Sequence, residues 1–268
     1  MAKRKDRRKR WAAIIAAILS LAMALSAIAV FWGYLMDRSN AATPGGQVDP
    51  EVYREYFLGE VERLQNYIDE YGPTVPVLNE LVQAYSLLIQ LEDGEDAAAE
   101  ERKKSYQENL KKYSLELVEL EPDEPEYRLQ LLYVYEQLDE EEAVIFEEVA
   151  ALRELLHEKP DPSSSLMLIR FLKSSQLQEE IMDEEIAWLR EHFEDLDKSG
   201  KMSSENRYYY AYLLAEYLEE QQAAEEQLFL IMEEESEDSI YYSAAKEYLE
   251  ELRKKGKNSS SKKEDEEE

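Results

Sequence analysis

Cysteine is absent from the 268 residues, histidine occurs twice, and glycine and proline number only eight each. Without cysteine there is no disulfide framework, no thiolate zinc site and no cysteine nucleophile. Neither histidine has a second at ligand spacing. His192 stands alone in Trp188-Leu189-Arg190-Glu191-His192-Phe193, and His157 precedes Lys159 and Pro160 at a predicted helix end, where a cationic side chain suits the dipole. So few chain breakers argue against a sheet protein, whose turns would need more of them. No Gly-rich phosphate loop or nucleophile elbow occurs, and no carboxylate pair stands out among 61 acidic residues. The sequence makes no case for an enzyme and none for a cofactor.

Positive charge is scarce as well. Lys and Arg number 31 against 61 Asp and Glu, and after residue 36 the balance is 24 basic to 60 acidic. Such a surface repels phosphates, which excludes nucleic acid bound through its backbone, whereas a basic partner suits it. What the chain has in quantity is Glu, Leu, Ala and Tyr, with 44% hydrophobic residues overall. That is enough apolar material for a sizeable core, and its composition favours helices.

The basic residues that do occur are concentrated at the amino terminus. Residues 1–10 hold Lys3, Arg4, Lys5, Arg7, Arg8, Lys9 and Arg10, and residues 11–36 then run from Trp11 to Met36 without a charge. As a helix this stretch is about 39 Å long at ~1.5 Å per residue, longer than a ~30 Å hydrocarbon core. Trp11 at one end and Phe31, Trp32 and Tyr34 at the other suit the two interfaces. The expectation is a transmembrane signal anchor. Its basic flank, residues 1–10, would lie in the cytoplasm and the rest of the chain on the far side. The alternative is a cleaved signal peptide and a secreted protein, since Ala27-Ile28-Ala29 has the small residues of a cleavage site.

Residues 37–49, with Ser39-Asn40-Ala41-Ala42-Thr43-Pro44-Gly45-Gly46, have the composition of a flexible linker. Beyond it the punctuation is helical throughout. Asp49-Pro50 and Asp161-Pro162 read as a cap followed by a first-turn proline; Pro73, Pro122 and Gly200 mark ends. Helices are predicted at 50–71, 75–91, 95–120, 124–138, 140–158, 162–176, 179–197, 203–219, 222–235 and 238–255. Residues 256–268 carry too little apolar content to fold and are expected to be a disordered charged tail. Joints this short force antiparallel hairpins.

One pattern recurs five times. It reads Leu81-Val82 with Tyr85, Leu131-Leu132 with Tyr135, Leu168-Ile169 with Leu172, Leu213-Leu214 with Tyr217, and Ala244-Ala245 with Tyr248. Leu78, Tyr210 and Tyr241 extend three copies to an i, i+3, i+4, i+7 stripe, which lines one helix face. The intervals between copies are 50, 37, 45 and 31 residues, each long enough for a second helix.

On these residues, and on Pro122 and Pro160 at the ends of second helices, residues 75–255 resemble the tetratricopeptide repeat family. The fold class expected is therefore all-α, a transmembrane helix followed by a tetratricopeptide-like α-solenoid of helix hairpins over residues 50–255. Family resemblance implies a groove lined by the first helix of each hairpin, which takes extended peptides. By helix face this places Asn79, Gln83, Leu129, Tyr133, Arg170, Lys173, Tyr208, Tyr242 and Lys246 toward the groove. Asn and Gln can bond a peptide backbone, Tyr offers broad contact at low entropic cost, and Arg170 with Lys173 can pair with a carboxylate.

The segment from Asp195 to Asn206 half resembles an EF-hand calcium loop, with Asp195, Asp197, Ser199 and Gly200 in register. Asn206 stands where the bidentate Glu belongs, and Glu205 comes one residue early. The competing reading is a glycine-ended helix followed by a serine cap. Two functions are carried forward. One is a membrane-anchored, extracytoplasmic adaptor or scaffold for a protein or peptide, either basic or itself membrane-bound; the other is an architectural subunit of a stable membrane complex. An envelope hydrolase is a distant third. Oligomeric state is not legible.

Overall fold

A computed structural model describes residues 50–265 apart from 93, 95 and 176–178. The expected anchor at 11–36 and linker at 37–49 lie outside the described residues. Among those described there is no strand, and no helix is long and apolar enough to cross a membrane. The described residues form ten helices: α1 (Pro50–Tyr71), α2 (Val75–Leu91), α3 (Ala97–Leu120), α4 (Pro125–Gln137), α5 (Glu142–Glu158), α6 (Pro162–Ser175), α7 (Glu179–Lys198), α8 (Ser204–Glu216), α9 (Gln221–Glu234) and α10 (Ile240–Asp265).

Local chemistry sets the boundaries. The Asp96 carboxylate accepts from Ala98 N and Ala99 N at 2.9 and 2.8 Å and starts α3. Asp161 accepts from Ser163 N ahead of α6, and Ser203 accepts from Asn206 N at 3.1 Å ahead of α8. Gly200, at φ +67°, ends α7: its N–H bonds Asp197 O while Lys201 N bonds Leu196 O, the pair of bonds that closes a helix through a left-handed residue. The α10 helix runs on to Asp265, past the expected end at 255. Extending an established helix costs far less than starting one, so a charged continuation holding Gly256 can remain helical.

Helices pack only with near neighbours in the chain. Contacts join consecutive helices and, in addition, α4 to α6, α6 to α8 and α8 to α10. Hairpins α2/α3, α4/α5, α6/α7 and α8/α9 thus stack in sequence order, with successive first helices side by side from α4 onward. Between α2 and α4 the link is made by side chains: Val134 joins the α1–α3 core, and Ser86 Oγ donates to Gln137 Oε1 at 3.2 Å. The recurring stripe is what this arrangement buries. Leu81, Leu131, Leu132, Leu168, Ile169, Leu213, Leu214 and Ala245 are each at most 1% exposed. Three apolar clusters follow one another along the stack, the first in α1–α3, the second in α4–α6, and the third from α6 to α10. α6 contributes to two of them. Leu168, Phe171 and Leu172 face back, and Leu166 and Ile169 face forward.

Ion pairs cross the joints. At the α1–α3 joint, Arg102 holds the carboxylate of Glu92 through Nε at 2.8 Å and Nη2 at 3.0 Å, with Arg54 of α1 at 3.6 Å. Gly94 permits this closeness, since a Cβ there would lie 2.7 Å from that of Ala99. Arg153 of α5 reaches Glu184 and Glu185 of α7 at 3.0 and 3.1 Å, and Arg190 of α7 meets Glu220 before α9 at 2.8 Å. Buried Arg207 on α8 ties Asp197 on α7 to Gln227 and Glu234 on α9.

Two measurements check this account. Glu219 ends the α8 turn at φ +56° without being glycine, a strained conformation for a side chain that makes no local bond to offset it. Glu219→Gly is expected to raise unfolding stability by roughly 0.5–1 kcal/mol in urea titration. Glu92 is held below the usual carboxylate range by the Arg102 hydrogen bonds first and by the charges of Arg102 and Arg54, against the opposing effect of burial. A carboxylate with a depressed folded pKa stabilises fully above its unfolded value, and that contribution fades as pH falls through the folded one. Glu92→Gln is therefore expected to cost about 1–3 kcal/mol at pH 7 and progressively less in acid, by urea titration across pH 3–7.

Candidate functional site

The first helices α4, α6 and α8, with α10 beyond them, carry one exposed strip in which cations and tyrosines meet. On α6, Arg170 and Lys173 are exposed while Ile169 and Phe171 beside them are buried, so the two cations share the outward face of a helix held on both sides. Lys173 Nζ sits 4.9 Å from the ring centroid of Tyr217, just past α8. The positive charge of Arg170 acts on both Tyr133 of α4 and Tyr217, opposing the upward effect of burial on their pKa values. Tyr133 is anchored by its edge contact with Phe171 at 5.3 Å. From Tyr217 a line of rings continues through Tyr212 at 6.1 Å, Tyr248 at 6.0 Å and Tyr208 at a further 5.9 Å.

Charge accounting distinguishes this strip. Among the described residues every arginine except Arg170 has a carboxylate within ion-pair distance. Arg170 forms no ion pair with any described residue, in a chain with twice as many acids as bases, and Lys173, like several other lysines, forms none either. The rings around them remain neutral near pH 7. Burial raises Tyr217, with Tyr212 adding to it, to about 12, and burial raises Tyr133 and Tyr208 too. Tyr248 is pushed up by burial first and by Glu216, whose carboxylate accepts its hydroxyl at 3.2 Å. A cation against the face of a partly buried ring gains quadrupole attraction while keeping its donors outward. The strip can therefore offer N–H donors and flat apolar area to an extended ligand.

Several expected groove residues lie elsewhere. Leu129 is 1% exposed and belongs to the α4–α6 core, because α5 and α6 both close over that side of α4. Tyr242 and Lys246 share a face of α10 with Arg253, four and eleven residues along from Tyr242. Arg253 reaches Glu225 and Phe229 on α9, whereas Lys246 is exposed to solvent and Tyr242 half-buried, outside the line of rings through Tyr208. Asn79 is half-buried against the Tyr127 hydroxyl of α4, while Gln83 is exposed on α2, before the strip begins. Tyr133, Arg170, Lys173 and Tyr208 are the expected residues that the structure brings together. Tyr212 and Tyr217, both half-buried, also line the strip, whereas Tyr248 belongs to the core beneath it; the spacing Tyr208, Tyr212 is the signal in the sequence.

The segment 195–206 takes its other reading. Asp195 pairs with Lys198 at 3.5 Å, Asp197 with Arg207 at 3.1 Å, Ser199 Oγ donates to Leu196 O, and Glu205 lies 3.5 Å from the Tyr209 hydroxyl. With the acids turned to separate partners they do not converge, and among the described residues no three His, Cys, Asp or Glu could hold a metal. His157 is more than a helix cap. Its Nε2 lies 3.0 Å from Glu185 Oε2 and its ring stacks 4.2 Å from Trp188, joining α5 to α7. His192 stacks on the same indole at 5.7 Å, and burial lowers its pKa.

No protein-family model matches the chain, and no curated protein matches it in sequence. What the coordinates establish is an all-α stack of hairpins in chain order, compatible with a helical repeat.

The contrast between idle and occupied arginines is measurable. Removing Arg153 leaves the Glu185 carboxylate, whose side chain is 0% exposed, with only His157; Arg153→Ala should cost about 3 kcal/mol in urea titration. Arg170→Glu combined with Lys173→Glu should stay within about 1 kcal/mol of the parent, since neither side chain forms an ion pair and only the exposed contact of Lys173 with the Tyr217 ring is lost.

Proposed function

We propose that the protein is a membrane-anchored adaptor of tetratricopeptide-like construction, its helical domain outside the cytoplasm, which binds a protein or peptide along its first helices. Its action is binding, not turnover. The observation that carries this reading is the placement of Arg170 and Lys173, neither in an ion pair, beside half-buried tyrosines on the first-helix side of the stack, with Lys173 over the ring of Tyr217 and Tyr212 next to it. Tyrosine supplies wide amphipathic area with few rotamers to freeze, and an unpaired guanidinium supplies a forked donor for a carboxylate. The acidic surface around the strip favours ligands carrying basic residues as well. Tethering through residues 11–36 would confine the strip to within a few nanometres of the bilayer and raise its effective concentration toward membrane-bound partners.

Affinity capture from detergent-solubilised membranes with the full chain tests the proposal. The Arg170→Glu/Lys173→Glu variant, folded like the parent, is expected to lose bound partner at least tenfold. Equal capture by parent and variant would overturn the reading.

A further inference from the structure

The two ends of the stack are finished differently. At the far end, α10 turns Lys246, Glu247, Glu250 and Lys254 to solvent, as a terminal helix must to keep a stack from continuing. At the near end, α1 buries Val61 and Leu64 against α2 and α3, with Phe57 and Ile68 half-buried beside them. Its solvent side carries Glu55, Glu62, Asn66, Asp69 and Glu70, but it is not purely polar. Val52, Tyr53, Tyr56, Leu58, Tyr67 and Tyr71 are all exposed, so six of the ten large hydrophobic residues exposed among the described residues stand on this one helix. Tyr56 is 61% and Tyr71 65% exposed.

Gly59 adds an independent sign. It lies mid-helix on the exposed side, where a Cβ would meet nothing within 4 Å, so no contact within the chain requires it. Glycine is among the poorest helix formers, and its usual use inside a helix is to let another backbone approach.

The exposed face is also a palindrome. Val52, Tyr56, Glu60, Arg63, Tyr67 and Tyr71 follow one another at intervals of four, four, three, four and four residues, a seam along one side of α1. A two-fold axis between Val61 and Glu62 exchanges Val52 with Tyr71, Tyr56 with Tyr67, and Glu60 with Arg63. Gly59 falls close to that axis, where two crossing helices come nearest.

We propose that α1 is a homodimer face on which a second copy of this chain docks antiparallel. Tyr56 stacks with Tyr67 of the second copy at both ends of the seam, and Val52 covers the ring of Tyr71. At the centre Glu60 and Arg63, already joined at 2.7 Å within one chain where Arg63 also reaches Glu80 of α2 at 3.3 Å, form a quartet with their counterparts. An isologous two-fold interface demands this reciprocity of residues. Charge fixes the direction, because a parallel pairing would set Arg63 on Arg63 and Glu60 on Glu60. An anionic lipid surface is a poor occupant, since Glu55, Glu62, Asp69 and Glu70 flank the seam. One helix pair is a small interface, so association is weak in dilute solution and suits chains already held close together. The proposal is independent of what the first-helix strip binds.

The absence of cysteine makes the test clean. In the full chain, Val52→Cys/Tyr71→Cys, which keeps both Tyr56–Tyr67 stacks, places two thiols about 28 Å apart on one helix at ~1.5 Å per residue. A bismaleimide spanning less than half that distance cannot bridge them within a chain, and in an antiparallel pair neither thiol can reach its own counterpart. The double variant is expected to give a covalent dimer on a denaturing gel, while each single variant stays monomeric. Adding Arg63→Glu should cut the yield at least fivefold, and Glu60→Arg with Arg63→Glu should restore it. Monomer alone from the double variant, or single variants linking as readily as the double, would overturn the proposal.

Discussion

A helical hairpin of this sequence cannot cover its own apolar stripe, and the rest of the structure depends on that shortfall. Leu131, Leu168 and Leu213 sit at equivalent places on α4, α6 and α8, and each is sealed only when hairpins adjoin. Apolar burial is non-directional and would be satisfied by many globules. Short joints capped by Asp96, Asp161 and Ser203 restrict each helix to neighbours in sequence, so the stripe is covered by stacking. α6 shows the result most clearly, with one flank in the core behind it and the other in the core ahead.

Electrostatics decides the joints. A chain carrying 61 acids and 31 bases repels itself when compact, and the structure answers by placing arginines where helices from different hairpins meet. Glu185 and Glu92 are the clearest cases: carboxylates taken out of water and made tolerable by Arg153 with His157, and by Arg102 with Arg54. Such pairs add less net stability than their number suggests, because desolvation offsets much of the attraction. Their larger effect is on specificity, since a wrong register would strand a buried charge. Against that pattern the strip around Arg170 and Lys173 is distinct. Lys173 there rests on the ring of Tyr217 instead of a carboxylate, and Arg170 beside it has no ion pair, on the side of the stack where successive first helices touch.

The ends of the stack extend the same logic. α10 closes one end with charge, whereas α1 leaves tyrosines and an unexplained glycine in water. Capping by a second copy would complete at the near end what a charged surface completes at the far one. It would also leave the first-helix strip open on both chains, because the strip begins at α4.

Periodicity and turn chemistry made most of the architecture readable beforehand. Helix existence and most boundaries followed from proline, glycine and capping residues that act within a few positions of themselves, and the repeated stripe followed from the 3.6-residue period. These are local rules, and the sequence by itself determined what they govern: ten helices, their joints and the faces they bury. Depth and partnership were not local. That Leu129 is core and not groove depends on α5 and α6 arriving over it; that Lys246 is left in solvent outside the strip depends on how the last helix rotates to bury Ala245 and Tyr248. The idleness of Arg170 could not be seen in a list of residues, because an arginine is idle only relative to where every carboxylate comes to lie. Such facts are sums over distances between segments remote in the chain, and tertiary packing alone sets those distances.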